Sequence, residues 1–128
     1  MERRVYKWEV NCDKSYFSLV KLMKESEFQS ELIKELKEEF PGCVVLKNDP
    51  NYIQGIPDLI VLFRDKWAVL EVKKNQDAPH QPNQDYYISL MNEMSFARFI
   101  YPENKEEILN ELQRSFRTRR TSCLPGRK

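Results

Sequence analysis

Hydrophobic residues recur with helical spacing in some parts of the chain and as short β-rich runs in others, and this change of period predicts the order of its elements. Ser26, with Gln29 three residues later, forms a capping box ahead of a helix that runs to about Phe40, where Pro41 and Gly42 end it. Two further helices are predicted at about 83–94 and from Asn104, as cap, to about 116, and strands at 43–48, 58–63, 67–73 and 95–101. The order αβββαβα predicts an α/β domain with a central sheet flanked by helices.

The runs DLIVLF and WAVLEVK are apolar on both faces and are joined by the tripeptide RDK. They are therefore predicted to form a hairpin in the middle of a sheet that is covered on both sides. With Asp65 and Lys66 in the turn, Asp58 lies opposite Lys73. Glu71 then lies one diagonal away on the same face, because side chains alternate along a strand with a period of two.

Asp58, Glu71 and Lys73 are thus expected to converge at one end of the hairpin. Burying a carboxylate is costly, and two neighbouring carboxylates raise each other's pKa unless a hard divalent cation such as Mg²⁺ takes both as ligands. The lysine would steady an attacking water or the charge that develops on a phosphate. The alternative is an ordinary structural cluster in which Lys73 neutralises the two acids.

The first predicted helix carries an acid and an amide on its apolar face. At about 100° per residue, Glu25 and Gln29 project onto the apolar stripe that includes Phe28 and Leu32, whereas the later glutamates of this helix do not. Glu25 could therefore complete a metal shell where the stripe meets the edge of the sheet. The alternative is that Glu25 precedes the helix proper and is merely solvated.

Composition places the chain among globular proteins. Its 128 residues suit one domain with a single core, and 41% are hydrophobic and 32% charged. No apolar run approaches the roughly 18 residues needed to cross a bilayer, and nothing resembles a signal peptide, so no membrane association is expected. Cys12, Cys43 and Cys123 show no zinc-binding spacing. We expect reduced thiols in a cytoplasmic protein.

Charge is distributed unevenly along the chain, although the net charge is only +1. Residues 112–128 contain six arginines and lysines and no acid, a pattern that could hold phosphate backbones through salt-dependent contacts. The alternative is a disordered, solubilising tail. These features divide the chain into an extension of unclear role at 1–22, a folded domain at 23–116 and a basic tail at 117–128.

The motifs together resemble the signature of the PD-(D/E)xK nucleases. GIPD ends at Asp58, and EVK begins at Glu71, thirteen residues later. The stretch from Glu25 to about Leu112, roughly 70% of the chain, resembles the virus-type replication-repair nuclease (VRR-NUC) domain of that superfamily in its stand-alone phage form. In that family an early helix carries a Glu four residues before a Gln, seen here in ESEFQ, and a Gln opens the helix after the ExK element, here Gln84. The arm before the first helix has no counterpart in this pattern.

The resemblance implies a restriction-endonuclease-like αβββαβ core with a mixed sheet and a metal-dependent mechanism. Asp58, Glu71 and Glu25 would hold one or two Mg²⁺ or Mn²⁺ ions, which polarise the scissile phosphate and lower the pKa of a water. Lys73 would position that water, and Gln84 would contact the phosphate or orient Lys73; cleavage would leave a 5′-phosphate and a 3′-hydroxyl. The residues expected to contact DNA are Gln29, Lys47, Lys74, Arg117, Arg119 and Arg120.

The function implied by the resemblance is metal-dependent, structure-selective cleavage of DNA. We expect a Holliday-junction resolvase that acts as a homodimer in the bacterial or phage-infected cytoplasm, because cutting two symmetric strands needs two active sites. The alternatives are a flap- or nick-directed repair nuclease and a catalytically inactive DNA-binding module of the same fold.

Four other side chains are secondary candidates. His80, the only histidine, could act as a base or a DNA contact, but packing at the surface is favoured. Tyr86 and Tyr87 could stack on bases, although their place on a helix flank favours core packing. Arg98 is a phosphate contact by position alone.

Overall fold

Three α-helices and a four-stranded mixed sheet make up the part of the chain that the computed structural model describes, residues 24–117. The helices are α1 (Glu25–Glu39), α2 (Gln84–Met94) and α3 (Lys105–Arg117), and the strands are β1 (Val44–Lys47), β2 (Leu59–Phe63), β3 (Lys66–Val72) and β4 (Phe96–Ile100). The predicted α/β order is confirmed, with an added 3₁₀ turn at Pro102–Asn104. None of these helices is long and apolar enough to span a membrane. The predicted extension at 1–22 and nearly all of the basic tail lie outside the described residues.

The strands follow the order β1-β2-β3-β4 across the sheet, so the two hairpin strands lie in its middle, as predicted. β1, β2 and β3 are successively antiparallel, whereas β4 is parallel to β3. A parallel neighbour cannot be reached by a tight turn and needs a crossover connection, which α2 supplies between β3 and β4. The crossover also brings the first turn of α2 beside the carboxyl end of β3.

One face of the sheet forms the hydrophobic core with α1 and α3. Its fully buried side chains include Leu32, Leu36, Leu59, Val61, Leu70, Val72, Ile100 and Leu112. At one end of this core, Phe40, Phe63 and Phe116 pack ring against ring, with centroids 5.1 to 5.5 Å apart. These aromatic contacts fasten the ends of α1 and α3 to β2.

The opposite face of the sheet is covered over only half of its width. α2 packs against β4 and β3, where Val69 and Ala97 are buried. On β1 and β2, by contrast, Val44, Leu46 and Leu62 are 49%, 45% and 39% exposed. The expectation of coverage on both faces therefore holds for β3 and is wrong for the outer half of the sheet, because residues 24–117 place a single helix on this side.

The hairpin turn lies one residue earlier than predicted and consists of Arg64 and Asp65 alone. Arg64 has φ 60°, the left-handed conformation that the first central residue of a two-residue hairpin turn requires. The residue here is an arginine and not the glycine or asparagine that usually adopts this conformation, so the sequence does not indicate the position of the turn. The register shifts with it: Leu59 pairs with Leu70, so Asp58, the residue before β2, comes opposite Glu71 and not opposite Lys73.

The start of α1 also differs from the predicted one. Its first residue is Glu25 and its cap position is Lys24, whose backbone N–H donates a hydrogen bond to the Glu27 carboxylate at 3.3 Å. Ser26 therefore lies within the first turn, and the predicted capping box with Gln29 is wrong. Acidic residues in the first turn stabilise the helix through its positive end, so a hydroxyl cap is not needed here.

Asn104 belongs to the 3₁₀ turn and holds the exit of β4 in place. Its Oδ1 accepts a hydrogen bond from the Tyr101 backbone N–H at 2.9 Å, and its Nδ2 donates to the Phe99 carbonyl at 3.2 Å. Both partners precede Asn104 in the chain. The predicted role of Asn104 as the cap of α3 is therefore wrong.

Truncation of Leu112 is expected to destabilise the fold strongly. Its side chain is fully buried between α3 and the sheet, so Leu112→Ala should lower the free energy of unfolding by about 2 to 5 kcal/mol. The neighbouring exposed residue provides the control, since Gln113→Ala should change it by less than about 0.5 kcal/mol. Urea unfolding of both variants measures the difference, and equal stabilities would show that α3 does not close the core.

Candidate active site

β3 leads into the only two charged side chains that are buried among residues 24–117. Glu71 is 3% exposed and Lys73, directly after the strand, is 6% exposed. The Lys73 backbone N–H donates to the Ile100 carbonyl at 2.9 Å, so the strand pairing with β4 continues to this point. Lys73 Nζ and Glu71 Oε2 are 4.0 Å apart. Removing both charges from water is costly, and their mutual attraction offsets that cost only in part.

Asp58 joins this pair from the start of β2. It lies opposite Glu71, and its Oδ2 accepts a hydrogen bond from the Val72 backbone N–H at 3.0 Å. The Asn48 backbone N–H donates to the Asp58 carbonyl at 2.8 Å, and Asn48 Nδ2 donates to the Pro57 carbonyl at 2.7 Å. The residue that follows β1 thus holds the Pro-Asp segment, and the Asp58 carboxylate reaches from it to the end of β3.

Gln84, the first residue of α2, connects the buried acid to the buried lysine. Its Nε2 donates to Glu71 Oε2 at 2.8 Å, and its Oε1 accepts from Lys73 Nζ at 2.6 Å. The Gln81 backbone N–H also donates to Oε1, at 2.9 Å, and Lys73 Nζ makes a further hydrogen bond to the Pro79 carbonyl at 3.0 Å. These contacts fit the predicted role of Gln84 in orienting Lys73, and a contact of Gln84 with the phosphate stays a prediction.

Electrostatics in this cluster favour protons on the acids. Burial and the neighbouring charges of Asp58 and Glu25 together raise the pKa of Glu71 to about 8, against the opposing effects of Lys73 and a backbone hydrogen bond at Asp58. Burial likewise raises the pKa of Asp58, opposed by its Val72 hydrogen bond, a hydrogen bond shared with Glu71 and the charge of Lys73. One lysine therefore does not neutralise these acids.

Glu71 Oε1 is buried and has no hydrogen-bond partner among the described residues. Together with Asp58 it provides the carboxylate oxygens that Mg²⁺ and similar hard cations prefer. No group of three or more His, Cys, Asp and Glu side chains within residues 24–117 is arranged to enclose an ion. The donor set therefore fits a cation held by two carboxylates, whose other ligands would be water and substrate oxygens, as is usual for Mg²⁺.

Glu25 approaches the cluster from the first turn of α1. Its side chain keeps much of its exposed surface, yet partial burial raises its pKa, as does the charge of Asp58, while Lys73 and Lys74 lower it. Glu25 is the first residue of α1 and does not precede the helix, and the effects of Asp58 and Lys73 indicate that it lies near the cluster. Gln29, one turn further along α1, is half-buried.

The predicted DNA contacts are dispersed over the surface. Lys47 at the end of β1, Lys74 after the buried lysine and Arg117 at the end of α3 are exposed, whereas Arg119 and Arg120 lie outside the described residues. Arg98, a candidate by position, is bound to Glu111 at 3.1 Å. Its guanidinium also lies 4.3 Å from the centre of the Phe96 ring, so Arg98 joins β4 to α3.

The tyrosines on α2 do not pack as expected. Tyr86 is 61% exposed and Tyr87 is half-buried, and their rings meet edge to face with centroids 5.0 Å apart. Core packing had been favoured for both and is wrong for Tyr86. An exposed aromatic ring two residues from Gln84 is available to a ligand.

Two features of the site were not predicted from the sequence. His80 contacts Asp85 and stacks on Phe99. The five-residue separation of His80 and Asp85 in the sequence does not indicate that they are in contact. Gly55 has φ 91°, and a Cβ there would lie 2.6 Å from Asn83 Cβ. The glycine thus allows the loop before Asp58 to touch the start of α2; its place in the GIPD motif was the available signal.

Comparison of the chain with protein-family models, with curated proteins and with solved structures finds no match in any of the three. The resemblance to the VRR-NUC domain therefore rests on the motif residues alone.

The raised pKa of Glu71 predicts a specific pH dependence of stability. The folded protein binds this proton more tightly than the unfolded chain, in which the pKa is about 4.3, so the stabilisation is fully present below that pH and is lost as pH rises through about 8. Without metal, Glu71→Gln should match the wild type near pH 4 and exceed it at pH 9 by roughly 1–3 kcal/mol, because the buried charge is removed. Denaturant unfolding across this pH range measures the difference.

The exposed Glu31→Gln is the matched control, and its stability should follow the wild-type curve. Added Mn²⁺ should stabilise the wild type at pH 9 and leave Glu71→Gln nearly unchanged, because the ligand oxygen is gone. Parallel pH curves for Glu71→Gln and the wild type would show that this carboxyl group is not perturbed.

A methyl group at Gly55 is expected to disturb the start of α2. Gly55 and Gly42 have similar φ values of 91° and 93°, so Gly→Ala introduces similar backbone strain at both, but only at Gly55 would the new Cβ meet neighbouring atoms within 3 Å. Gly55→Ala should therefore cost at least about 1 kcal/mol more than Gly42→Ala. Thermal or urea unfolding of the two variants measures the difference. Equal losses of stability would show that the loop at Gly55 is not packed closely against the start of α2.

Proposed function

We propose that this protein is a metal-dependent endodeoxyribonuclease with a restriction-endonuclease-like core. One observation carries the proposal: a buried glutamate with an unpartnered oxygen lies opposite an aspartate and beside a lysine that an amide holds in place. A purely structural cluster would be expected to satisfy that oxygen or to replace it, since an unsatisfied buried acceptor destabilises a fold. The order of motifs that resembles VRR-NUC domains supports the same reading.

In this proposal Asp58 and Glu71 hold Mg²⁺ or Mn²⁺, with Glu25 close enough to raise the pKa of Glu71. A bound ion would supply Lewis-acid polarisation of the phosphate and a more acidic water. It would also compensate the two neighbouring carboxylates, whose pKa values burial raises despite the opposing charge of Lys73. Because the ion displaces the Glu71 proton, binding should tighten as pH rises toward 8.

Lys73 has the geometry of a positioning group. An ammonium has three donors, and two of them are occupied by Gln84 Oε1 and the Pro79 carbonyl. The third donor remains for an attacking water or a phosphate oxygen. Because both fixed bonds come from the loop and helix that follow β3, Lys73 is oriented before substrate arrives, and little reorganisation is needed during the reaction.

We further propose that the substrate is branched DNA, in the first instance a four-way junction cut by a homodimer in the cytoplasm. Exposed basic side chains at Lys47, Lys74 and Arg117 support a nucleic-acid substrate. The exposed apolar strip of Val44, Leu46 and Leu62 supports self-association, since patches of this kind mark contact surfaces. The free, half-buried thiol of Cys43 suits a reducing compartment.

A substrate panel tests the proposal. Purified protein is incubated with Mg²⁺, Mn²⁺ or EDTA and labelled four-way junction, flap, nicked and linear duplex DNA. Cleavage of the junction that needs metal and leaves 5′-phosphates is the expected result, and sedimentation of the protein with and without junction gives the oligomeric state. Preference for flaps or nicks would instead identify a repair nuclease. Binding without any cleavage would identify an inactive DNA-binding module.

Substitutions at the site should separate chemistry from binding. Asp58→Asn, Glu71→Gln and Lys73→Met should each reduce the cleavage rate by about 100-fold or more, because each removes a metal ligand or the positioning ammonium. DNA binding in EDTA should persist. The exposed residues of α1 provide matched controls: Glu31→Gln and Lys34→Met should cleave like the wild type. A loss of less than tenfold, about 1.4 kcal/mol of barrier, would remove that residue from the proposed machinery.

A further inference from the structure

His80 lies in the loop between β3 and α2 and is fixed on two sides. Its Nδ1 is 2.8 Å from Asp85 Oδ1, and its imidazole stacks on the Phe99 ring with centroids 4.1 Å apart and an interplanar angle of 17°. The ring nevertheless remains accessible, because the His80 side chain is 40% exposed.

The imidazole lies next to the proposed catalytic cluster. Phe99 is the register partner of Glu71 on the adjacent parallel strand, and neighbouring strands are about 4.8 Å apart. The residues on either side of His80 reach the same cluster, since the Pro79 carbonyl accepts from Lys73 and the Gln81 N–H donates to Gln84. His80 is therefore anchored on the side of the site where Lys73 lies.

The hydrogen bond to Asp85 determines which ring nitrogen is free. An ionised carboxylate only accepts hydrogen bonds, so the proton of the neutral imidazole is on Nδ1. Nε2, on the far edge of the ring from Asp85, then carries a lone pair. A neutral imidazole in this tautomer accepts a proton and cannot donate a hydrogen bond from Nε2 to a phosphate.

We propose that His80 is the proton acceptor in the DNA hydrolysis proposed above, on which this inference rests, with Asp85 as its positioning residue. The water oxygen forms the new bond to phosphorus, and its proton passes to His80 Nε2 directly or through one further water. The bond from phosphorus to the 3′ oxygen breaks with its electron pair, and that oxygen takes a proton from solvent. Asp85 stabilises the imidazolium that results.

The other groups of the cluster are poorly suited to this step. The Lys73 ammonium has no lone pair, and Asp58 and Glu71 would be engaged as metal ligands. Both polar atoms of the Gln84 amide are already hydrogen-bonded, Nε2 to Glu71 and Oε1 to Lys73. His80 makes no hydrogen bond to Glu71, Lys73 or Gln84, and Nε2 of its neutral imidazole has a lone pair that can take the proton.

Substitution with chemical rescue tests the role of His80. His80→Ala should lower the cleavage rate by about 100-fold or more, the usual contribution of a general base, with DNA binding in EDTA unchanged. His80→Asn should be equally slow, because an amide can fill the space but cannot take the proton. Added imidazole should restore His80→Ala at least tenfold and should not restore Lys73→Met. Full activity in His80→Asn, weakened DNA binding in His80→Ala or absence of rescue would overturn the proposal and indicate a phosphate contact or a packing role.

A second readout does not depend on activity. The chain contains one histidine, so in protein without a histidine tag the imidazole ¹⁵N signals report His80 alone. The wild type should show the proton on Nδ1, and Asp85→Ala should lose this preference and cleave about tenfold more slowly. Asp77→Ala, an exposed acid of the same loop, should change neither. A wild-type proton on Nε2 would overturn the inference.

Failure of this inference and failure of the proposed function give different results. A wild-type protein that cleaves no DNA of the panel overturns both. A wild-type protein that cleaves with metal, while His80→Ala cleaves at the same rate, overturns only the assignment of His80.

Discussion

The burial of the Glu71 carboxylate at the end of β3 is the constraint on which the rest of the site depends. A carboxyl group at 3% exposure needs compensation, and the chain provides it from two directions: Lys73 directly after β3 and Gln84 at the start of α2. Asp58, opposite Glu71, adds a like charge. The compensation is incomplete. The pKa remains raised to about 8, and one oxygen remains without a partner. In the proposed metal site a bound cation would supply the missing positive charge, and without it the buried acids lower the stability of the fold.

The parallel pairing of β3 and β4 determines which elements surround Glu71. A crossover helix must leave the carboxyl end of β3, so its first turn and the preceding loop come to lie over the buried charges. From that position Gln84 and the Pro79 carbonyl hold Lys73, and His80 rests on Phe99 beside them. The antiparallel side of the sheet supplies the acid, because the pairing of β2 with β3 brings Asp58 to the same end. The mixed sheet therefore unites an acid from one hairpin strand with an amide and an imidazole from one crossover.

The division of the sheet into a covered and an uncovered half bears on assembly. The same face carries the charged cluster at one end and the exposed side chains of Val44, Leu46 and Leu62 on β1 and β2. A second molecule or a substrate that covers this strip would lie close to the cluster. The α1 and α3 side, by contrast, is closed by the aromatic contacts of Phe40, Phe63 and Phe116 and serves stability.

The sequence by itself determined the order of elements, the central place of the two hairpin strands and the residues of the cluster, because these follow from local periodicity and from motif spacing. It did not determine the hairpin register, since no glycine or asparagine marks Arg64 as the residue with positive φ, nor the start of α1, where an acidic first turn replaces a hydroxyl cap. Only the tertiary structure decided that Asp58 faces Glu71, that Gln84 binds Lys73 and that His80 meets Phe99. Each of these contacts joins residues from different elements. Their distances depend on the strand register and on the position of the crossover helix. Neither is determined by the sequence of a single segment of the chain.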